Sequence, residues 1–153
     1  MNPRYAAQIR ESDCGPIALF NLLKWLGMRV TLREHHSYLC WLCNLADGFG
    51  SSDVDISRAL SHLKKNNFKF KYNKKPKIKE LVSHLVTGGA AIIVYPNESG
   101  LHACFLPSQH DSKKRLLVVN AFIGKTEAFI SKKKLNSWVN SNGSSVWLIN
   151  KVD

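Results

Sequence analysis

Between Gly15 and Gly27, leucines stand at positions 19, 22, 23 and 26, the i, i+3, i+4, i+7 spacing of one helix face, with Pro16 in the first turn and Gly27 at the end. The pattern predicts an amphipathic helix. Thr31 three residues before Glu34 resembles a capping box that opens a second helix toward Leu42, and Ser52 with Asp55 one that opens a third through Leu60 and Leu63. Asp47-Gly48-Phe49-Gly50 is the loop expected between them. Pro76 begins a fourth helical pattern, in which Ile78, Leu81, Val82 and Leu85 share a face and Gly88-Gly89 ends it.

Beyond Gly89 the period changes. Short β-rich runs at 90–95, 101–107, 115–120, 125–130 and 145–149 alternate with turn residues, and Ser131 is placed to cap one short helix through Trp138. Helices first and an antiparallel sheet second define an α+β chain, with a helical half over about residues 8–89 and a sheet half over about 90–150. No repeat, low-complexity tract or long linker interrupts it, so residues 1–153 are expected to form one unit.

A chain of 153 residues can bury one real core and is too short for two full-sized domains. Hydrophobic residues at 44% and charged residues at 22% exclude the disordered, collagen-like and fibrous classes. No basic start followed by an apolar run opens the chain, and no apolar stretch approaches the length of a membrane span, so the expected location is the cytoplasm. There, Cys14, Cys40, Cys43 and Cys104 read as reduced thiols and not as a disulfide framework. Lys and Arg total 22 against 11 Asp and Glu, a net charge of +11 that invites a nucleic-acid or acidic partner. The excess falls in short runs at 64–65, 69–79, 113–115 and 132–134, where solvated faces and loop tips are the usual cause, so that partner is not the favoured reading.

The candidate chemistry begins at Cys14, directly before Gly15-Pro16 and therefore at the amino-terminal end of the first helix. Unpaired backbone N–H groups and the helix dipole favour a thiolate there, although a single cysteine in that position is more often structural. His102 lies in an alternating strand that sends His102, Cys104 and Leu106 to one face and Leu101, Ala103 and Phe105 to the other. A lone strand histidine is more often a hydrogen-bonded core residue than a base; what raises His102 is the next run, which ends in Val118-Val119-Asn120. A hairpin closed evenly over residues 108–114 sets His102 opposite Asn120. A slip of two keeps them on one face, and a slip of one separates them. The Asn120 side-chain amide would then orient the imidazole, as the third member of a triad does; its plainer role is a strand-end turn residue. Gln8, six positions before Cys14 on a lead-in expected to be extended, could aim its amide N–H₂ at an oxyanion beside the nucleophile's own N–H, or could simply be solvated.

Taken in order, Gln8, then Asp13-Cys14-Gly15-Pro16 opening a Leu-rich helix that ends at Gly27, then Gly100-Leu101-His102-Ala103-Cys104, then Asn120, resemble the C39 peptidases, the bacteriocin-processing members of the papain-like group. The resemblance runs from Gln8 to the strand ending near Ile149 and includes the loop and helix from Gly50 to Leu63. It implies a papain-like fold and a cysteine peptidase: Cys14 attacks the carbonyl after a double glycine in a leader peptide, His102 serves as base, and Gln8 helps hold the oxyanion. The implied reaction is acyl transfer through an acyl-enzyme, with a peptide or protein substrate and no metal or other cofactor. The chain departs from the family twice. Asn120-Ala121 stands where the family usually has Asp-Pro, and resembles the asparagine of papain instead. Bacteriocin-processing members are commonly fused to a membrane-spanning ATP-driven exporter, whereas here the expectation is a stand-alone domain.

The loop 47–52 and the segment 95–101 are expected to wall the cleft. Cys40-Trp41-Leu42-Cys43 has redox spacing, but falls at a helix end where a thioredoxin-type pair needs a helix start. With His35 and His36 it could ligate zinc only by crowding one short segment, so core thiols are expected, and Cys104 is read as a small buried hydrophobe. Trp25, Trp41, Trp138 and Trp147 are spaced like core and rim anchors. Two rival functions remain at this level. An acyltransferase or deamidase would use the same residues with another acceptor, and a non-catalytic module would grip a glycine-containing peptide, an acidic partner or nucleic acid. The joint presence of Cys14, His102 and Gln8 favours an enzyme.

Overall fold

The leucine-rich stretch forms helix α1 (Cys14–Trp25) in the computed structural model, which describes residues 3–8, 11–43, 52–98, 100–110, 115–122 and 124–152. The expected amphipathicity is not what α1 shows: every residue except Lys24 is buried. Polar faces are unnecessary because α1 is enclosed by a second helix, by the sheet and by the lead-in segment. Gly27, at φ +84°, closes it in a left-handed turn in which the Met28 N–H donates to Leu23 O and the Gly27 N–H to Lys24 O, both at 3.0 Å.

Helices α2 (Leu32–Leu42) and α3 (Asp53–Leu63) start where their caps predict. The Ser52–Asp55 box closes both ways, at 3.0 and 3.2 Å. At Thr31 the hydroxyl accepts the Glu34 N–H, but the return bond from the Thr31 N–H goes to His35 Nδ1 at 3.1 Å. The predicted loop 47–50 lies outside the described residues. Helix α4 (Ile78–Val86) follows two residues after Pro76 and buries Leu81, Val82 and Leu85.

Strands β2 (Ala90–Asn97), β3 (Gly100–Leu106), β4 (Arg115–Phe122), β5 (Lys125–Ser131) and β6 (Ser145–Lys151) match the predicted runs to within two residues at each end. Between β5 and β6, α5 (Lys132–Asn140) is capped by Ser131 Oγ, which accepts the Lys134 N–H at 3.1 Å. One strand was not anticipated. β1 (Phe68–Asn73) pairs with β6, Phe70 across from Ile149 and Tyr72 across from Trp147.

The six strands are antiparallel in the order β1-β6-β2-β3-β4-β5, which leaves β1 and β5 as the borders; Lys69 and Lys71 on β1 and Lys125 on β5 are exposed there. One face, with Ile92, Val94, Ala103, Phe105 and Trp147, packs under α1, α2 and α3. The other, with Ile93, Cys104, Leu106, Val118 and Val146, packs under α4 and α5. β2 is covered on both faces, which is why its sequence is an unbroken apolar run. Each fully buried large side chain of these layers, such as Phe105 or Trp147, contributes about 1.5–3 kcal/mol or more.

Phe105 lies across from Val119, two residues beyond an even hairpin closure, so Asn120 faces Cys104 and not His102. In a regular ladder a slip of two would keep Asn120 and His102 on one face. The β4–β5 ladder is also irregular between Val119 and Phe122, and Asn120 sits inside that bulge at φ +61°.

Candidate active site

Cys14 is the first residue of α1, directly after a 3₁₀ turn over Glu11–Asp13. Its sulfur is buried and accepts the Ala103 N–H at 3.4 Å. That amide belongs to the peptide joining His102 to Ala103, so the helix start and the head of β3 meet at this contact. Helix α1 packs on the Ala103 face of β3, while the His102 ring leans edge-on against Tyr95 at 5.7 Å between centroids. Among the described residues no hydrogen bond joins the sulfur directly to the imidazole.

His102 Nε2 lies 2.5 Å from the Asn120 backbone carbonyl. A carbonyl oxygen can only accept, so Nε2 carries the proton and the lone pair of the neutral ring is on Nδ1. No described residue hydrogen-bonds Nδ1. The expectation for Asn120 is thereby corrected: its main chain, and not its side-chain amide, holds the imidazole. The left-handed bulge is the reason, because it turns the carbonyl toward β3 and the side chain toward the lead-in. There Asn120 Oδ1 accepts the Gln8 N–H at 3.0 Å and Asn120 Nδ2 donates to Gln8 Oε1 at 3.1 Å. Gln8 is therefore gripped by its oxygen, with its N–H₂ as the donor end.

Sequence reasoning missed two residues that shape the site. Asn21, fully buried on α1, accepts the Ala6 N–H at 2.8 Å and donates to Ala6 O at 3.0 Å, fastening the lead-in that carries Gln8. The signal was a lone asparagine in a leucine-rich helix. Asp13, also fully buried, pairs with His36 Nε2 at 2.9 Å.

Burial is the largest influence on both central groups. It pushes the Cys14 thiol up, against the pull of the Ala103, Gly15 and Cys14 amides and with a further push from Asp13. It pushes the His102 imidazole down, against the raising effect of the Asn120 carbonyl. The thiolate expected from the helix dipole is thus opposed by desolvation, which favours the neutral form of both the thiol and the ring.

Of the expected cleft walls, 95–97 is the end of β2 and 100–101 the start of β3, with Leu101 exposed, while residue 99 and residues 47–51 lie outside the described residues. Two concavities lie elsewhere. One of about 540 Å³ runs between α4 and α5, lined by Ile78, Val82 and Lys132, and one of about 990 Å³ lies at the far end of α1, lined by Lys24, Arg115 and Phe129. Neither is lined by Cys14 or His102. Cys40, Cys43 and Cys104 are all buried, and the Cys104 thiol is pushed far up by complete burial.

A sheet flanked by helices in this order, with a cysteine opening the central helix, has the fold of the C39 peptidase domains. The peptidase domain of Streptococcus ComA, a bi-functional ABC transporter involved in quorum sensing, matches over 100% of both chains with a TM-score of 0.70 and 19% identity. A C39-like peptidase from Bacillus anthracis matches over 99% of this chain and 96% of its own, with a TM-score of 0.65 and 13% identity. The N-terminal C39-like peptidase domain of a toxin secretion ATP-binding protein from Vibrio parahaemolyticus covers 91% of this chain and 97% of its own, at 0.55 and 18%. No protein-family model matches the sequence, and no curated protein matches it.

Proposed function

We propose that the protein is a cysteine peptidase in which Cys14 is the nucleophile and His102 its base, acting after a glycine pair in a leader peptide. The observation that carries this reading is the tie between His102 Nε2 and the Asn120 carbonyl, which leaves the basic lone pair on Nδ1 of the residue next to the amide bound by the Cys14 sulfur. In this reading Nδ1 must reach the Cys14 sulfur for proton transfer, and catalytic hydrogen bonds commonly tighten only once substrate is bound. The peptidase fold and the order Gln8, Cys14, His102, Asn120 support the same conclusion.

In the proposed reaction the thiol proton passes to His102 Nδ1 as the sulfur bonds to the scissile carbonyl carbon. The oxyanion takes the Cys14 N–H and the Gln8 N–H₂. Collapse breaks the C–N bond, the proton on Nδ1 leaves with the amine, and water activated by the same nitrogen hydrolyses the thioester. The test is mass spectrometry of a peptide containing Gly-Gly. Cleavage after the pair should fall by about 10²–10⁴-fold in His102→Ala and at least as far in Cys14→Ala. Transfer of the acyl group to an added amine would identify an acyltransferase, and release of ammonia a deamidase. An intact peptide from a protein whose Cys14 is fully alkylatable would overturn the peptidase reading.

A further inference from the structure

The concavity of about 990 Å³ at the far end of α1 has a chemistry of its own, away from Cys14 and His102. Tyr5 from the lead-in and Trp25 from the last turn of α1 line it, and both pack on Phe105, at 5.8 and 6.4 Å between ring centroids. Another wall is sheet. There Phe129 on β5 lies across from Leu117 on β4, and Arg115 stands two residues along the same face of that strand. Gln109 fixes this wall, since its side chain accepts the Leu117 N–H at 2.9 Å and donates to Leu117 O at 3.1 Å. Phe129 nonetheless keeps 63% of its surface exposed.

Charge in the same cavity is one-sided. Arg4, Lys24, Arg115 and Lys151 line it against one carboxylate, Glu127, and none of the four cations is in an ion pair among the described residues. Lys151 Nζ lies instead 4.5 Å from the centre of the Trp25 ring, and Lys24 Nζ 5.8 Å from that of Phe20. Cations gathered from the lead-in, α1, β4 and β6 repel one another, and an anionic ligand relieves that repulsion. An exposed ring set among them adds a flat surface. A nucleic-acid strand matches both features, because its phosphates take the ammonium and guanidinium groups while each base offers a π-face to stack. An acidic peptide matches the charge alone.

We propose that this concavity binds single-stranded nucleic acid, with Arg4, Lys24, Arg115 and Lys151 on backbone phosphates and Phe129 stacked on a base. The inference requires neither the Cys14 nucleophile nor any peptide substrate, so failure to cleave peptides leaves it intact.

The experiment is fluorescence anisotropy of a labelled oligothymidylate of about twelve nucleotides with the full chain. The logarithm of the association constant should fall linearly with the logarithm of salt concentration, with a slope of about −3 for four phosphate contacts. Lys24→Ala, Arg115→Ala and Lys151→Ala should each weaken binding and flatten the slope by about 0.7. Lys74→Ala/Lys77→Ala removes two exposed charges beyond the end of β1 opposite Lys151 and should do neither. Phe129→Ala should weaken binding about five- to hundred-fold and Phe129→Trp retain it, whereas an abasic strand of equal length should bind all three proteins alike. An unchanged urea midpoint checks that each variant folds. Absence of binding at low salt, a loss in Lys74→Ala/Lys77→Ala equal to that in Arg115→Ala, a Phe129→Ala affinity equal to wild type, or competition by poly-glutamate as effective as that by the unlabelled strand overturns the proposal.

Discussion

At the scale of the residue, the state of the proposed dyad is set by burial, and the sign of its pH response follows. The His102 imidazole is held below its ordinary value of 6.5 and the Cys14 thiol above its ordinary 9.0, so both are neutral across the interval between. Peptide cleavage by general-base attack should therefore stay level through neutral pH and decline on the acid side only below 6.5. A plot of kcat/KM against pH checks this, and an acid limb centred above 6.5 would contradict the burial of the ring. Asn120 offers a separate test, because its two functions sit on different atoms. Asn120→Gly suits φ +61° and retains the carbonyl at His102, but releases Gln8. Cleavage should drop about 10²-fold, as in Gln8→Ala, with little added loss in the double variant and unchanged Cys14 alkylation, read by steady-state kinetics and peptide mapping. Asn120 meets His102 through its main chain and not through the side chain that strand alternation pointed to. Its division of labour was not legible, since strand alternation carries no information about a bulge.

Among the elements, helix starts were the most readable because capping chemistry is local: Ser52 with Asp55 behaves as its spacing predicts, and Thr31 differs only in taking its return bond from His35. β1 was missed although Phe68, Phe70 and Tyr72 alternate with lysines, because a border strand with one wet face resembles a solvated basic run. The Gly88-Gly89 stop after α4 was recognised for conformational freedom, but at Gly89 the need is space. A methyl group there would lie 2.3 Å from His84 Nε2, the atom bonded to Ala90 O at 2.8 Å. Gly89→Ala should displace that ring and cost about 1–3 kcal/mol, measured as a lower urea midpoint with an unchanged slope. If the midpoint does not move, the ring has a second resting place and the contact is dispensable.

For the molecule as a whole, the α+β class was legible because the hydrophobic period switches near Gly89. Strand order was not, since the last strand inserts between β1 and β2 and no local pattern encodes a long-range neighbour. The charge of +11, which first pointed toward acidic partners, takes on another meaning once the borders of the sheet are known. β1 and β5 each present an unpaired row of backbone groups, and lysines stand along both: Lys69 and Lys71 on one, Lys125 and the run Lys132 to Lys134 beside the other. Replacing Lys69 and Lys71 by alanine should increase self-association at fixed concentration, followed by light scattering; an unchanged signal would clear β1 as a sticking point. Mutual repulsion of this kind reaches about 8 Å at physiological ionic strength and about 3 Å in molar salt. Two copies meeting in dilute buffer are therefore turned aside before their ladders can join, whereas in brine the same encounter loses its guard.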